Sequence, residues 1–458
     1  MDFKKIFSAF TVVMLTLIVT ACDDNASGTP VETTVIRVWS DNAHERELRM
    51  EQIERFNAGE GAELGIEIEY TVFGANWVDT IRLAAQTDEA PDLFRPNGTF
   101  IREFIDAGYL VPLTELPGME DLIAEYEDGG FLTENLQKFD GEAFTLPYNL
   151  TTYRFVINRE IFDRNGLTDP PETWEEVREF ARIITENGND EEFGFALGLQ
   201  SYWIASAYIH RPASHIKGHH GFNHDTLEFQ FERLAPVLEQ IAGMVADGSV
   251  FPGASGMDAD AMRAQFAEGR VGMLPAVSFD VGVYNDQFPA DFNWEVVDIP
   301  TILPGAAPYR PLADGTNLLG VGAAAIENPE RAEKVAEVFR FFYSDENMAE
   351  MFEHGLYIPL RQEARELATR EPEQRGFAEF AEIPNFLLLL PMPDNHITIE
   401  GLSINESILA TLAADPDMDP LTAMRELDAR LNEAVREQLD PEVLESFRAP
   451  EGRDNRNN

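Results

Sequence analysis

Five aromatic residues, Trp39, Trp77, Tyr148, Trp203 and Phe279, fall at predicted strand ends, several of them beside polar neighbours. Flat rings of this kind can cover the apolar C–H face of a sugar, while Asp, Asn or Arg side chains take its hydroxyl rim through paired hydrogen bonds. The rim candidates are Asp41, Asn42, Arg95, Asn97, Asp280 and Asp314. Each ring also has a reading as core packing, the commoner use of an aromatic side chain. Trp77 and Trp203 stand in polar neighbourhoods and are the stronger stacking candidates. Signatures of catalysis are missing: the chain has no GxxxxGK[ST] loop, HExxH, GxSxG or CxxC. With 82 acidic residues, no carboxylate pair stands out, so a glycosidase stays open on this ground alone. His210, His215, His219, His220 and His224 crowd one glycine-flanked stretch. Their irregular spacing favours an exposed loop over a metal site. No cofactor is expected.

The elements that must position these residues alternate. Residues 34–39 read as a first strand, followed by a turn at 40–45 and a helix to about Phe56. A second strand covers 66–70, a helix starts at Trp77, and a third strand enters at 90–94 before a helix that closes at Gly108. Strand and helix at this spacing imply a mostly parallel sheet covered on both faces. Ligands of such sheets sit outside the carboxyl ends of the strands, here 39–42, 71–77 and 95–99. Further on, 144–148 and 153–158 read as strands, and Thr173 with Glu176 makes a capping box. The helix behind it buries Trp174, Val177, Phe180, Ala181 and Ile184. Residues 193–197 are a strand, 258–268 an amphipathic helix stopped by Gly269, and 294–300 another strand. Asn328 caps a helix with Pro329 at its first position.

The order of these segments carries a resemblance. Asp140–Val177, DGEAFTLPYNLTTYRFVINREIFDRNGLTDPPETWEEV, is similar to the central signature of the bacterial extracellular solute-binding proteins of family 1. These are the sugar-binding receptors of ABC importers. AAQTDEAPDLF and FIDAGYLVPLTEL resemble that family's first half, although the glycine usual before Pro91-Asp92 is absent. Arg270–Asp280, Asp314–Asn317 and Gly355–Arg361 resemble its later motifs, in which an aromatic such as Phe279 often stands at the cleft. The resemblance implies an α/β, two-lobe, type II periplasmic-binding-protein-like fold. Each lobe would be a mixed, mostly parallel sheet flanked by helices, with the ligand cleft at the hinge. Lobe one would hold 35–144 and 295–344, lobe two 145–294 and 345–450, and 451–458 would be a disordered tail. The implied function is capture of a mono- or oligosaccharide by a monomeric receptor that closes on it and delivers it to a membrane permease. No enzymatic activity is implied. Two alternatives remain: a receptor for a peptide, polyamine or metal chelate, and an extracellular carbohydrate-active enzyme.

Lys4 and Lys5 precede an apolar run from Ile6 to Val19, which ends in Val19-Thr20-Ala21-Cys22. Residues 1–21 therefore read as a secretory signal, too short for a comfortable membrane span. Cys22 is the sole cysteine, and its setting resembles the lipobox of bacterial lipoproteins. Lipidation there would anchor the protein to the cell membrane, facing the periplasm or the exterior, with 22–34 as a flexible leash. The net charge of −48 over 458 residues excludes nucleic acid as a partner. The acids are spread along the chain, and such a surface suits a saline habitat because salt screens its self-repulsion. Raising NaCl from a low level to about 1 M, where the Debye length is roughly 3 Å, is expected to raise the melting temperature. A flat or falling melting curve would remove the halophilic reading.

Overall fold

The computed structural model describes residues 32–74, 76–87, 89–96, 100–201, 203–305, 308–413 and 418–456. Ile36 and Val38 are buried within the strand Thr34–Ser40, which pairs in parallel with Ile66–Val72 on one side and Leu93–Phe94 on the other. Leu312–Gly322 runs antiparallel to Leu93–Phe94, Thr145–Thr151 runs antiparallel to it in turn, and Ile358–Pro359 closes the edge. A second sheet has the order Trp294–Val297, Tyr153–Asn158, Val271–Val277, Phe193–Phe195. Its last two strands are parallel and its other pairings antiparallel. Both sheets are thus mixed, because strands that return from the opposite lobe enter against the local direction. The capping box is formed: Glu176 N–H donates to Thr173 Oγ1 at 3.2 Å, and Thr173 N–H to Glu176 Oε2 at 3.1 Å. The helix Trp174–Asn187 buries Trp174, Val177, Ala181 and Ile184, as its spacing predicts.

The crossings between sheets differ from the expected boundaries at 144, 295 and 344. Thr145–Thr151 belongs to the first sheet, so the chain crosses at Thr152. Trp294–Val297 pairs with Tyr153–Asn158 in the second sheet, so the return crossing lies between 298 and 311. Ile358–Pro359 pairs with Thr145–Thr151, and the helix Asp345–Glu353 packs on Ile358–Pro359, which puts 345–359 in lobe one. Short strands with long-range partners carry no local signal of which sheet they join. The described part of the tail is not disordered. Arg310 N–H donates to the Asn455 carbonyl at 2.8 Å, and Asn455 Nδ2 to the Gly218 carbonyl at 3.1 Å.

Under the first sheet lies a buried ion pair. Arg49 donates to Glu45 Oε2 at 2.9 Å, to the Tyr148 hydroxyl at 3.0 Å and to Gln52 Oε1 at 2.8 Å. Neither charged side chain reaches solvent. Such a pair is tolerated only because hydrogen bonds complete its coordination.

The histidine-rich stretch is buried, not an exposed loop: the helix Ile404–Ala413 packs on Ala205–His210, and the chain at Phe447 closes over His224. The Nδ1 atoms of His210, His215 and His224 bond to the carbonyls of His220, Pro212 and Phe447 at 2.8, 2.7 and 2.8 Å. Among the described residues, no three His, Cys, Asp or Glu side chains converge as metal ligands. Burial, joined by the Lys217 charge, pushes His219 down to about 2, and burial pushes His224 down to about 4. Burial likewise holds His210 and His220 well below their ordinary value. A folded-state pKa below the unfolded value means the unfolded chain binds the extra proton as pH falls. This stability is therefore complete above about pH 6.5 and is lost as pH falls below that value. For His219 the loss at pH 5 is about 2 kcal/mol. Chemical denaturation from pH 7 to 5 is expected to show a falling unfolding free energy, with a shallower fall in His219→Gln. An identical pH slope in the variant would refute the assignment.

Candidate functional site

The carboxyl ends of the first-sheet strands face the second lobe across a cleft. At the end of Thr34–Ser40, Asn42 N–H donates to Ser40 Oγ at 3.1 Å, which turns the chain into the short helix Ala43–Glu45. Asp41 Oδ1 accepts from Arg95 Nη1 at 2.7 Å, and Arg95 itself follows Leu93–Phe94. Asn42 Nδ2 donates to the Tyr357 hydroxyl at 2.9 Å. His44 stands edge-on to Tyr357, with ring centroids 5.3 Å apart. Its imidazole is solvent-accessible yet surrounded by protein, as at the floor of a cleft. Desolvation lowers its pKa and the Arg95 and Arg49 charges assist, while Glu45 and Asp41 oppose.

The opposite wall comes from the second lobe. Phe279 follows the strand Val271–Val277 and is 50% exposed, the largest exposure of any aromatic among the described large hydrophobics. The half-buried Trp203 ring lies 6.4 Å from it, centroid to centroid. Beneath both rings sits the Arg263 guanidinium, 5.3 Å from the Trp203 centroid and 5.6 Å from that of Phe279. Arg263 is held by Asp280 at 2.8 Å and donates to the Tyr208 hydroxyl at 2.8 Å. Asp280 also accepts from Tyr208 and from Val277 N–H. Burial raises the Asp280 pKa, against the opposing pull of Arg263.

A cavity of about 240 Å³ joins the two walls, lined by Asn42, His44 and Arg95 on one side and Ser278 and Phe279 on the other. Of the sequence candidates, the structure brings Asn42, Arg95 and Phe279 together there, with Asp41 paired to Arg95 and Trp203 beside Phe279. Asn97 lies outside the described residues. Trp39 is half-buried against Phe73, at 4.7 Å. Four candidates are corrected. Trp77 is core, packed with Phe94 and Phe104, because it is on the inward face of the helix it begins. Tyr148 points into the first lobe and accepts from Arg49. Asp280 is wholly buried as the partner of Arg263. Asp314 is at the hinge, where Arg211 Nη1 of the second lobe donates to it at 2.7 Å and the Tyr153 hydroxyl donates too. His44, Asn149, Thr151, Ser278, Thr316 and Tyr357 were not among the candidates. Arg263 was not either, although a charge in register with Met262 and Phe266 on a helix is a readable signal. The cleft cavity has no carboxylate among its described lining residues, and Asp41 touches it only through Arg95.

The profile of the bacterial extracellular solute-binding proteins matches residues 43–349, well over half of the chain. The chain belongs to that family. As a member it is similar to the maltotriose-binding protein of Pyrococcus abyssi, 22% identical over 274 residues, 57% of this chain and 53% of that protein. It is also similar to the sn-glycerol-3-phosphate-binding periplasmic protein UgpB of Rhizobium meliloti, 25% identical over 291 residues, 59% of this chain and 61% of that one. This solute-binding protein thus spans little more than half the length of the curated relatives it matches. Its fold is that of apo RafE from Streptococcus pneumoniae, with a TM-score of 0.63 at 16% identity, covering 89% of this chain and 99% of that one. The substrate-binding protein Lmo0181 of Listeria monocytogenes, solved with cycloalternan, has a TM-score of 0.63 at 17% identity, covering 88% of this chain and all of that one. The type II two-lobe fold of the family is therefore present here, and the family is one of binding proteins.

Proposed function

We propose that this protein is the exported receptor of an ABC importer, capturing a carbohydrate between its lobes and handing it to the membrane permease. The observation that carries the reading is the Trp203–Phe279 pair, seated on a buried guanidinium and facing the polar groups of Asn42 and Arg95. An exposed ring over a fixed cation is a platform for a sugar's C–H face, and the opposite wall offers hydrogen bonds to hydroxyls. Solved neighbours of the same fold carry raffinose and cycloalternan, which supports a sugar ligand. A phosphorylated polyol is the second reading, favoured by the names of several relatives and by Arg95 in the cleft. It ranks lower because Asp41 already neutralises Arg95. A ligand touching both walls favours the closed arrangement by its differential contacts, which is the signal the permease would read.

Calorimetric titration with mono- and oligosaccharides, and with glycerol 3-phosphate, distinguishes the readings. For a sugar that binds, Phe279→Ala is expected to weaken affinity by roughly 2 kcal/mol or more, as for a central aromatic anchor. Trp203→Ala is expected to do the same while its denaturant midpoint moves little, since half of that ring's role is at the surface. An unchanged dissociation constant in folded Phe279→Ala would remove the platform. Tight binding of glycerol 3-phosphate alone would replace the sugar.

Membrane attachment belongs to the same proposal. Cys22 lies outside the described residues, and among these no helix is long and apolar enough to cross a membrane. Its place after an apolar run and Val-Thr-Ala supports acylation at a new N-terminus. Labelled fatty acid, palmitate included, is expected in the wild type and absent in Cys22→Ser. A mature protein beginning at another residue would refute the anchor.

A further inference from the structure

A cavity larger than the cleft's lies elsewhere in the molecule. It has a volume of about 680 Å³ and lies behind the hinge, walled by 152–154 and 298–312, where the chain passes between the sheets, and by 383–385. None of the cleft residues lines it. Pro171, Pro311 and Pro384 stiffen its apolar wall. The ionisable side chains on its inner wall, apart from the tyrosines, are basic. Arg154 has a side chain only 12% exposed, and its nearest carboxylate, Asp298, is 3.9 Å away and 98% exposed. So distant and solvated a partner gives little compensation, and burial accordingly lowers the Arg154 pKa. The guanidinium otherwise donates only to the Tyr153 and Glu382 carbonyls. Arg211 is matched by Asp314 through Nη1, but its Nε is buried without a partner. His215, 7% exposed, spends Nδ1 on the Pro212 carbonyl and leaves Nε2 without a hydrogen bond. The carboxylates on this cavity, Glu172 and Asp298, are exposed at its rim.

A guanidinium taken out of water without a close counter-charge is costly, and in a chain of net charge −48 an unmatched buried cation is a departure from the prevailing pattern. An oxyanion would supply the missing charge to Arg154 as charge-assisted hydrogen bonds. Because the His215 Nδ1 proton is committed to a carbonyl, the neutral ring presents Nε2 as an acceptor. The fitting anion therefore carries an O–H of its own. We propose that the hinge cavity is a second ligand site, taking a small hydroxyl-bearing oxyanion, such as hydrogen phosphate or a hydroxycarboxylate, on Arg154, Arg211 and His215. The site is independent of whatever occupies the cleft.

Sodium phosphate is the probe, and the full chain is melted in it beside sodium chloride of equal ionic strength, because screening alone stabilises so acidic a protein. Phosphate is expected to give an additional, saturating rise in melting temperature. Arg154→Gln and, separately, His215→Phe are expected to lose that increment whatever their own melting temperatures in chloride. Phe279→Ala is expected to keep it, which separates the hinge from the cleft. No increment over chloride, an increment that survives in both hinge variants, or its loss in Phe279→Ala would overturn the proposal.

Discussion

The tightest of the connections between the two lobes is a single residue between two strands. Thr145–Thr151 ends in one sheet and Tyr153–Asn158 begins in the other, with Thr152 alone between them. Its carbonyl accepts from Ser278 N–H at 3.0 Å, its N–H donates to Ser278 Oγ at 3.3 Å, and its hydroxyl donates to the Phe380 carbonyl at 2.8 Å. Thr152 is buried, so losing any of these bonds would strand a polar group in the interior. Because Ser278 immediately precedes Phe279, the pivot and the aromatic wall are one unit. A rotation at Thr152 would therefore carry Phe279 with it, toward or away from Asn42 and Arg95.

Buried charge recurs where the two walls need to be rigid. Glu45 and Arg49 lie under the strand ends that present Asp41, Asn42 and His44. Arg263 and Asp280 lie under Trp203 and Phe279. In each case a tyrosine hydroxyl, from Tyr148 or Tyr208, shares the arginine. Such networks hold side-chain directions that apolar packing would leave freer, at the expense of desolvating both ions. The Asp314–Arg211 pair differs, because it ties a first-sheet strand to the turn after Ala205–His210 across the lobes at a partly exposed position.

Much of the scaffold was legible in the sequence because it is local. The capping box at Thr173 and Glu176, and the helix Ala259–Ala267 behind Asp258, are written in neighbouring residues. The first strand and its polar end were readable for the same reason, and Asn42 and Arg95 do reach the cleft. Side-chain direction at a strand end was not. Tyr148 and Asn149 are adjacent, yet one enters the core and the other the cleft, since successive residues face opposite sides. Asp280 looks like a rim carboxylate only until Arg263 and Tyr208, distant in sequence, are folded against it. Tyr357 reaches the site through pairing of Ile358–Pro359 with Leu150 and Asn149, a contact no periodicity announces.

The placement of Leu312–Gly322 constrains how the molecule is made. This strand lies between Leu93–Phe94 and Thr145–Thr151, so the sheet of the first lobe has a gap until the chain has been extended past residue 312. A nascent chain holding only the earlier strands would display two unpaired edges in place of a finished sheet. Pairings of such long sequence separation form slowly. The first lobe is consequently finished only after every strand of the second has been made, so the lobe that begins the chain is the later of the two to close.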